Sequence, residues 1–143
     1  MVISIYSKSR IYDLIEKGID KNTAIISFCD YQEDEIEFPE GTDCLSVVFY
    51  DIRPHQIPKD QYDKVLPEAK EIAQYVYKKM KENKNIICQC DYGVSRSAGL
   101  AAAIMEAYAG KGIDVFADYR YTPNQFVYNK VLKELLILKG ENK

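Results

Sequence analysis

Three short apolar runs most constrain what this chain can fold into. Residues 23–28 read TAIISF, residues 45–50 read LSVVFY, and residues 85–88 read NIIC. Each is too short for a helix and rich in β-branched or aromatic side chains. None alternates strictly between apolar and polar, so each strand needs cover on both faces. Strands of that kind belong to parallel sheets with helices packed on the two sides.

The segments between the runs supply those helices. Residues 2–6 (VISIY) alternate and predict a further strand. Ser7 or Ser9 offers an N-cap for a short helix over 10–17, and Gly18 stops it. Ala69, Ile72, Ala73, Val76, Tyr77 and Met80 recur at helical spacing, with Pro67 fitting the first turn. Residues 97–109 are apolar nearly all round, which predicts a buried helix. Thr122, Pro123 and Gln125 read as the cap, N1 proline and N3 glutamine of a capping box opening a last helix that runs to about Leu138. The acidic stretch 31–42 is expected as a surface excursion, and 53–60, with two prolines and the exposed His55, as a loop. The expected class is α/β: one domain over residues 1–143 with a central, largely parallel sheet flanked by helices.

Charge and cysteine usage narrow the function. A net charge of −3, from 19 basic and 22 acidic residues, gives no drive toward nucleic acid or an anionic membrane, and neither is expected as a partner. No apolar segment approaches a membrane span, and MVISIYSKSR lacks a signal-peptide layout, so a cytoplasmic location is expected. The four cysteines, Cys29, Cys44, Cys88 and Cys90, make no disulfide framework. Cys88 and Cys90 are two apart rather than in a CxxC pair, and no metal or cofactor is expected.

In a parallel sheet, ligands bind beyond the carboxyl ends of the strands. Asp51 and Cys90 both fall at such ends. Cys90 opens the stretch CDYGVSRS, a C-x5-R spacing that leaves a strand and enters a helix. A loop of this length can curl until the backbone N–H groups of Asp91, Tyr92, Gly93, Val94, Ser95 and Arg96 converge on one anion. The helix N-terminus behind it adds unpaired N–H groups and partial positive charge. Gly93 permits the curl, and the Arg96 fork matches two oxygens of a phosphate. Cys90 at the base is a nucleophile in its thiolate form, which helix N-termini and cations promote. Ser97 can donate a hydrogen bond to the sulfur when it leaves. Backbone amides and Arg96 meet the developing charge.

This stretch resembles the signature loop of the cysteine-dependent protein tyrosine phosphatases, most closely the small dual-specificity-like bacterial and archaeal members. Their pattern is His-Cys-x5-Arg-Ser/Thr, and SRSAGLAAAI at 95–104 is similar to their signature helix. The resemblance implies a protein tyrosine phosphatase-like fold and hydrolysis of phosphomonoesters through a cysteinyl-phosphate. It implies Cys90 as nucleophile, Arg96 as phosphate ligand, and an upstream aspartate as proton donor. FYDI at 49–52 is similar to the stretch that carries that aspartate, which favours Asp51 over the rivals Asp60 and Asp63. A phosphorylated protein or peptide is the implied partner, tyrosine first and serine or threonine second, with the chain acting as a monomer. Gln89 departs from the pattern: it stands where the family has histidine, and it offers hydrogen bonding without charge, so a slower nucleophile is expected.

Two other functions compete. A rhodanese-like sulfurtransferase also sets a cysteine under an anion-binding loop, and a phosphate-binding module without turnover would tolerate Gln89. The other site-adjacent residues have plainer readings. Cys88 packs, Tyr92 shapes the mouth of the pocket, and Asn124 caps the last helix with reach toward the site.

Overall fold

A computed structural model describes residues 2–141. Strands β1 (Ile3–Tyr6), β2 (Thr23–Cys29), β3 (Asp43–Val48) and β4 (Asn85–Gln89) form one sheet in the order β1-β4-β2-β3. Every pairing is parallel, with Cys88 of β4 level with Ile5 of β1 on one side and Ile26 of β2 on the other. The inner strand β2 is buried along its whole length, as its unbroken apolar run requires.

Because side chains alternate across a strand, the sheet divides its apolar residues between two cores. Ile26, Phe28, Val47, Ile86 and Cys88 face the larger one, under helices α2 (Ala69–Lys81), α3 (Arg96–Ala109) and α5 (Gln125–Glu141). Ile25 and Ile87 face the smaller one, under α1 (Lys8–Lys17). Helix α3 is buried on nearly every side and lies between the sheet and α5. A five-residue helix, α4 (Ile113–Ala117), sets Val115 against Ala98 and Ala102 of α3.

The α/β class and the flanked sheet stand as expected, with the sheet wholly parallel. Several boundaries differ, each for a local reason. Ser7 caps α1 two residues earlier than the expected start, its Oγ accepting from the Arg10 N–H at 3.3 Å. Strand β3 runs two residues earlier than the apolar run, so Asp51 lies past the strand rather than at its last residue. Pro67 precedes α2 instead of sitting in its first turn. The cap of α5 is Asn124, not Thr122: the Val127 N–H donates to Asn124 Oδ1 at 3.1 Å. Residues 122–124 are instead tied to the end of the Cys90 loop, with Thr122 N donating to Val94 O and Asn124 N to Ser95 O, both at 3.0 Å. The acidic stretch 31–42 is more than a surface excursion, since Ile36 is buried in the smaller core with Phe38 beside it. Helix α4 has no counterpart in the sequence-based expectation.

Candidate active site

All four strands point the same way, so their carboxyl ends share one edge of the sheet. Ser7 follows β1, Asp30 follows β2, Asp51 lies beyond β3, and Cys90 follows β4. A cavity of about 410 Å³ opens there, lined by Asp51, Arg53, Cys90, Tyr92, Val94, Ser95 and Arg96.

The loop from Cys90 to Ser95 is held from both sides. Cys90 N donates to Tyr6 O at 3.3 Å, and Lys8 N donates to Asp91 O at 3.0 Å. Its other limb is tied by the Thr122 and Asn124 amides described above. Gly93 has φ of +69°, and a Cβ built on it would sit 2.8 Å from Ser7 N, so both backbone conformation and space demand glycine there. Among the described residues, the N–H groups of Asp91, Tyr92, Gly93, Val94 and Ser95 donate to no backbone carbonyl. A run of successive backbone N–H groups left free in a loop favours an anion.

Cys90 lies 2 % exposed in the lining of the cavity. Its Sγ is 3.0 Å from Ser97 Oγ and 3.5 Å from Ser97 N, at the first turn of α3. The other three cysteines are chemically quieter. Burial pushes the thiols of Cys29, Cys44 and Cys88 up, which keeps them protonated at neutral pH. Cys88 is fully buried on the same face as Cys90 and serves the larger core.

Arg96 is buried, and its guanidinium is divided in two. Nη1 donates to Asp30 Oδ1 and to Phe49 O, both at 2.6 Å. Nε is buried with no hydrogen-bond partner. Nη2 has Asp91 Oδ2 at 3.7 Å, an ionic contact too long for a hydrogen bond. The Nε–Nη2 edge of the fork is therefore open, and that edge suits two oxygens of a phosphoryl group.

Asp51 is fixed by neighbours on three elements. Its Oδ1 accepts from Ser95 Oγ and from Asn124 Nδ2, both at 2.7 Å. Arg53 Nη2 lies 3.8 Å from Asp51 Oδ2 and donates to Ser95 Oγ at 2.9 Å. Asn124 Nδ2 also donates to Ile52 O at 2.9 Å, so one buried amide both caps α5 and holds the aspartate loop. Asp60 and Asp63 are exposed on the turn Lys59–Lys64 and do not line the cavity. His55 is exposed as well. Tyr92 stands 85 % exposed at the mouth.

Gln89 is fully buried and uses both ends of its amide. Its Oε1 accepts from Ser27 Oγ, and its Nε2 donates to Cys90 O at 3.0 Å. It therefore ties the loop base to β2 without carrying charge.

Sequence reasoning did not single out Asp30, Arg53 or Ser27. Asp30 had a usable signal: it is a charged residue directly after a fully apolar run, hence at the carboxyl end of an inner strand. Arg53 and Ser27 had none, because their roles depend on which strands become neighbours. Among the described residues, no group of three histidine, cysteine, aspartate or glutamate side chains could hold a metal ion, and no helix is long and apolar enough to cross a membrane.

No protein-family model matches the sequence, and no curated protein matches it. Solved structures do match its shape. DUSP15 superposes with a TM-score of 0.63 at 17 % identity, covering 99 % of this chain and 92 % of that one. Human DUSP28 gives 0.57 at 14 %, covering 98 % and 95 %. Tk-PTP in its active form gives 0.56 at 16 %, covering 94 % and 90 %. The chain has the fold of the small dual-specificity-like cysteine phosphatases.

Proposed function

We propose that this chain is a cysteine-dependent phosphatase that hydrolyses phosphomonoesters on phosphorylated proteins or peptides. The observation that carries the reading is the unpartnered Nε of buried Arg96, which lines the same cavity as Cys90 beside loop amides that donate to no backbone carbonyl. A buried arginine whose fork is half unused needs an oxyanion to complete it.

The chemistry runs in two steps. The phosphoryl group sits on the Arg96 edge and the loop amides, with phosphorus above Cys90 Sγ. The thiolate attacks, an S–P bond forms as the ester P–O bond breaks, and Asp51 gives its proton to the leaving oxygen. Asp51 then takes a proton from water, whose oxygen attacks phosphorus. The P–S bond breaks and inorganic phosphate leaves. Ser97 Oγ, at 3.0 Å from Sγ, donates to the sulfur as negative charge returns to it. Arg96 and the amides carry the equatorial charge through both steps. A phosphotyrosine side chain is the first substrate, with phosphoserine and phosphothreonine to be compared beside it, and the chain acts as a monomer in the cytoplasm.

The test is hydrolysis of p-nitrophenyl phosphate, with vanadate as inhibitor. Cys90→Ser is expected to abolish turnover, and Asp51→Asn to slow esters with poor leaving groups by about a hundredfold while sparing good ones more. Thiocyanate formation from thiosulfate without ester hydrolysis would reverse the assignment in favour of a sulfurtransferase. Phosphate binding without hydrolysis would make the chain a binding module.

A further inference from the structure

We propose that Asp91 selects the substrate, acting as an internal counter-ion on the edge of Arg96 that the phosphoryl group must take; this rests on the phosphatase reading above. The Nη1 side of Arg96 is spent on Asp30 and Phe49 O. Only the Nε–Nη2 edge is left, and among the described residues its one ion-pair partner is the Asp91 carboxylate, 3.7 Å from Nη2. That carboxylate belongs to the residue directly after Cys90 and reaches Nη2 from the adjoining depression, outside the cavity over the sulfur. A dianion on the same edge brings like charges together, and the carboxylate has to turn away.

The backbone restricts where it can go. Asp91 O is pinned by the Lys8 N–H at 3.0 Å, so the side chain moves only about its own torsions. Its side chain is already one-third exposed. It lines the depression next to the Cys90 cavity, together with Ser7, Lys8, Ser9, Tyr12 and Tyr92, the last of which borders both. Displaced outward, the carboxylate meets whatever the substrate carries next to its phosphorylated residue. A neighbouring phosphate or acidic side chain is repelled there, and a basic one is attracted. The pocket therefore suits a singly phosphorylated peptide with a basic flank, and it rejects a vicinally anionic one.

Asp91→Asn and Asp91→Ser both remove the charge, and the pair guards against one variant failing to fold. Inorganic phosphate binding is measured by calorimetry. The kcat and KM are measured on p-nitrophenyl phosphate and on two phosphotyrosine peptides that differ only in an arginine or a glutamate beside the phosphotyrosine. For either folded variant, phosphate binding is expected to tighten roughly fivefold, with the change falling on KM more than on kcat. The wild-type preference for the arginine peptide is expected to shrink toward unity, and less difference is expected in high salt. If the wild type hydrolyses p-nitrophenyl phosphate but folded variants show neither tighter phosphate binding nor a reduced flank preference, the Asp91 inference fails alone. If only one of the two changes appears, the inference also fails. If the wild type neither binds phosphate nor hydrolyses the ester, the phosphatase reading falls and takes this one with it.

Discussion

Gln89 carries a structural duty at the base of the loop that follows β4. Its buried amide accepts from Ser27 Oγ on β2 and donates to Cys90 O, so it anchors the base of that loop. A charged or ring side chain is not needed for that anchoring. Removing the amide is costly, because Ser27 Oγ and Cys90 O would both lose a partner in the interior. Gln89→Leu is expected to destabilise the fold by about 1–3 kcal/mol for each group left unpaired. Urea unfolding would show it as a lower midpoint with an unchanged slope. Iodoacetate labelling of Cys90 in the same variant is expected to slow, because the loop base is no longer fixed. Burial leaves Cys29, Cys44 and Cys88 in the unreactive thiol form.

At the scale of elements, the site depends on two helix starts rather than on one. The first turn of α3 carries Arg96 and Ser97, and the approach to α5 braces the loop that leads into it. The two helices come close enough that a Cβ on Gly99 would lie 2.6 Å from Asn124 O. Asn124 joins these parts: its Oδ1 caps α5, and its Nδ2 holds Asp51 and Ile52. Asn124→Ala is therefore expected to do two separable things. Loss of the cap lowers stability by about 1 kcal/mol, read by thermal or chemical unfolding. Loss of the Nδ2 contacts lets the Asp51 carboxyl wander, which is expected to slow hydrolysis of esters with poor leaving groups by roughly tenfold. Asn124→Asp keeps an acceptor for the Val127 N–H while removing the donors, so it should retain the cap and still show the kinetic loss. Equal rates for good and poor leaving groups in both variants would count against Asn124 as a positioning residue.

At the scale of the whole molecule, the sheet carries the candidate site at one end and a charged cluster at the other. Opposite the cavity, Asp43 opens β3 and accepts from Lys79 Nζ, Lys84 Nζ and Tyr75 Oη, each at 2.7 Å. Burial alone would raise the Asp43 pKa, but the hydrogen bonds from Lys79, Lys84 and Tyr75 outweigh it and hold the carboxyl at about 2 against a usual 3.8. A folded-state value below the unfolded one means the stabilisation is complete above about pH 4 and is lost as pH falls toward 2. Asp43→Asn is expected to lower the melting temperature at pH 7 and to flatten the acid limb of the stability curve over that window. Turnover of p-nitrophenyl phosphate by the folded variant should be unchanged, because the cluster joins α2 to the far end of the sheet. An acid limb identical to that of the wild type would show that Asp43 is not the group responsible.

The sequence by itself determined the α/β class, the parallel strands and the C-x5-R loop, because these rest on local pattern. An unbroken apolar run needs cover on both faces, and a glycine within a strand-to-helix loop permits the curl. Asp51 stood out for the same local reason, lying just past a strand. Tertiary structure alone decided how the site is held. The order β1-β4-β2-β3 sets Ser27 beside Gln89, and the shared sheet edge carries Asp30 to Arg96 across 66 residues of chain. The same folding seats Ser7 against Gly93 and brings Asn124 Nδ2 to Asp51. No local propensity encodes such contacts, since each pairs groups far apart in sequence whose meeting depends on which strands become neighbours.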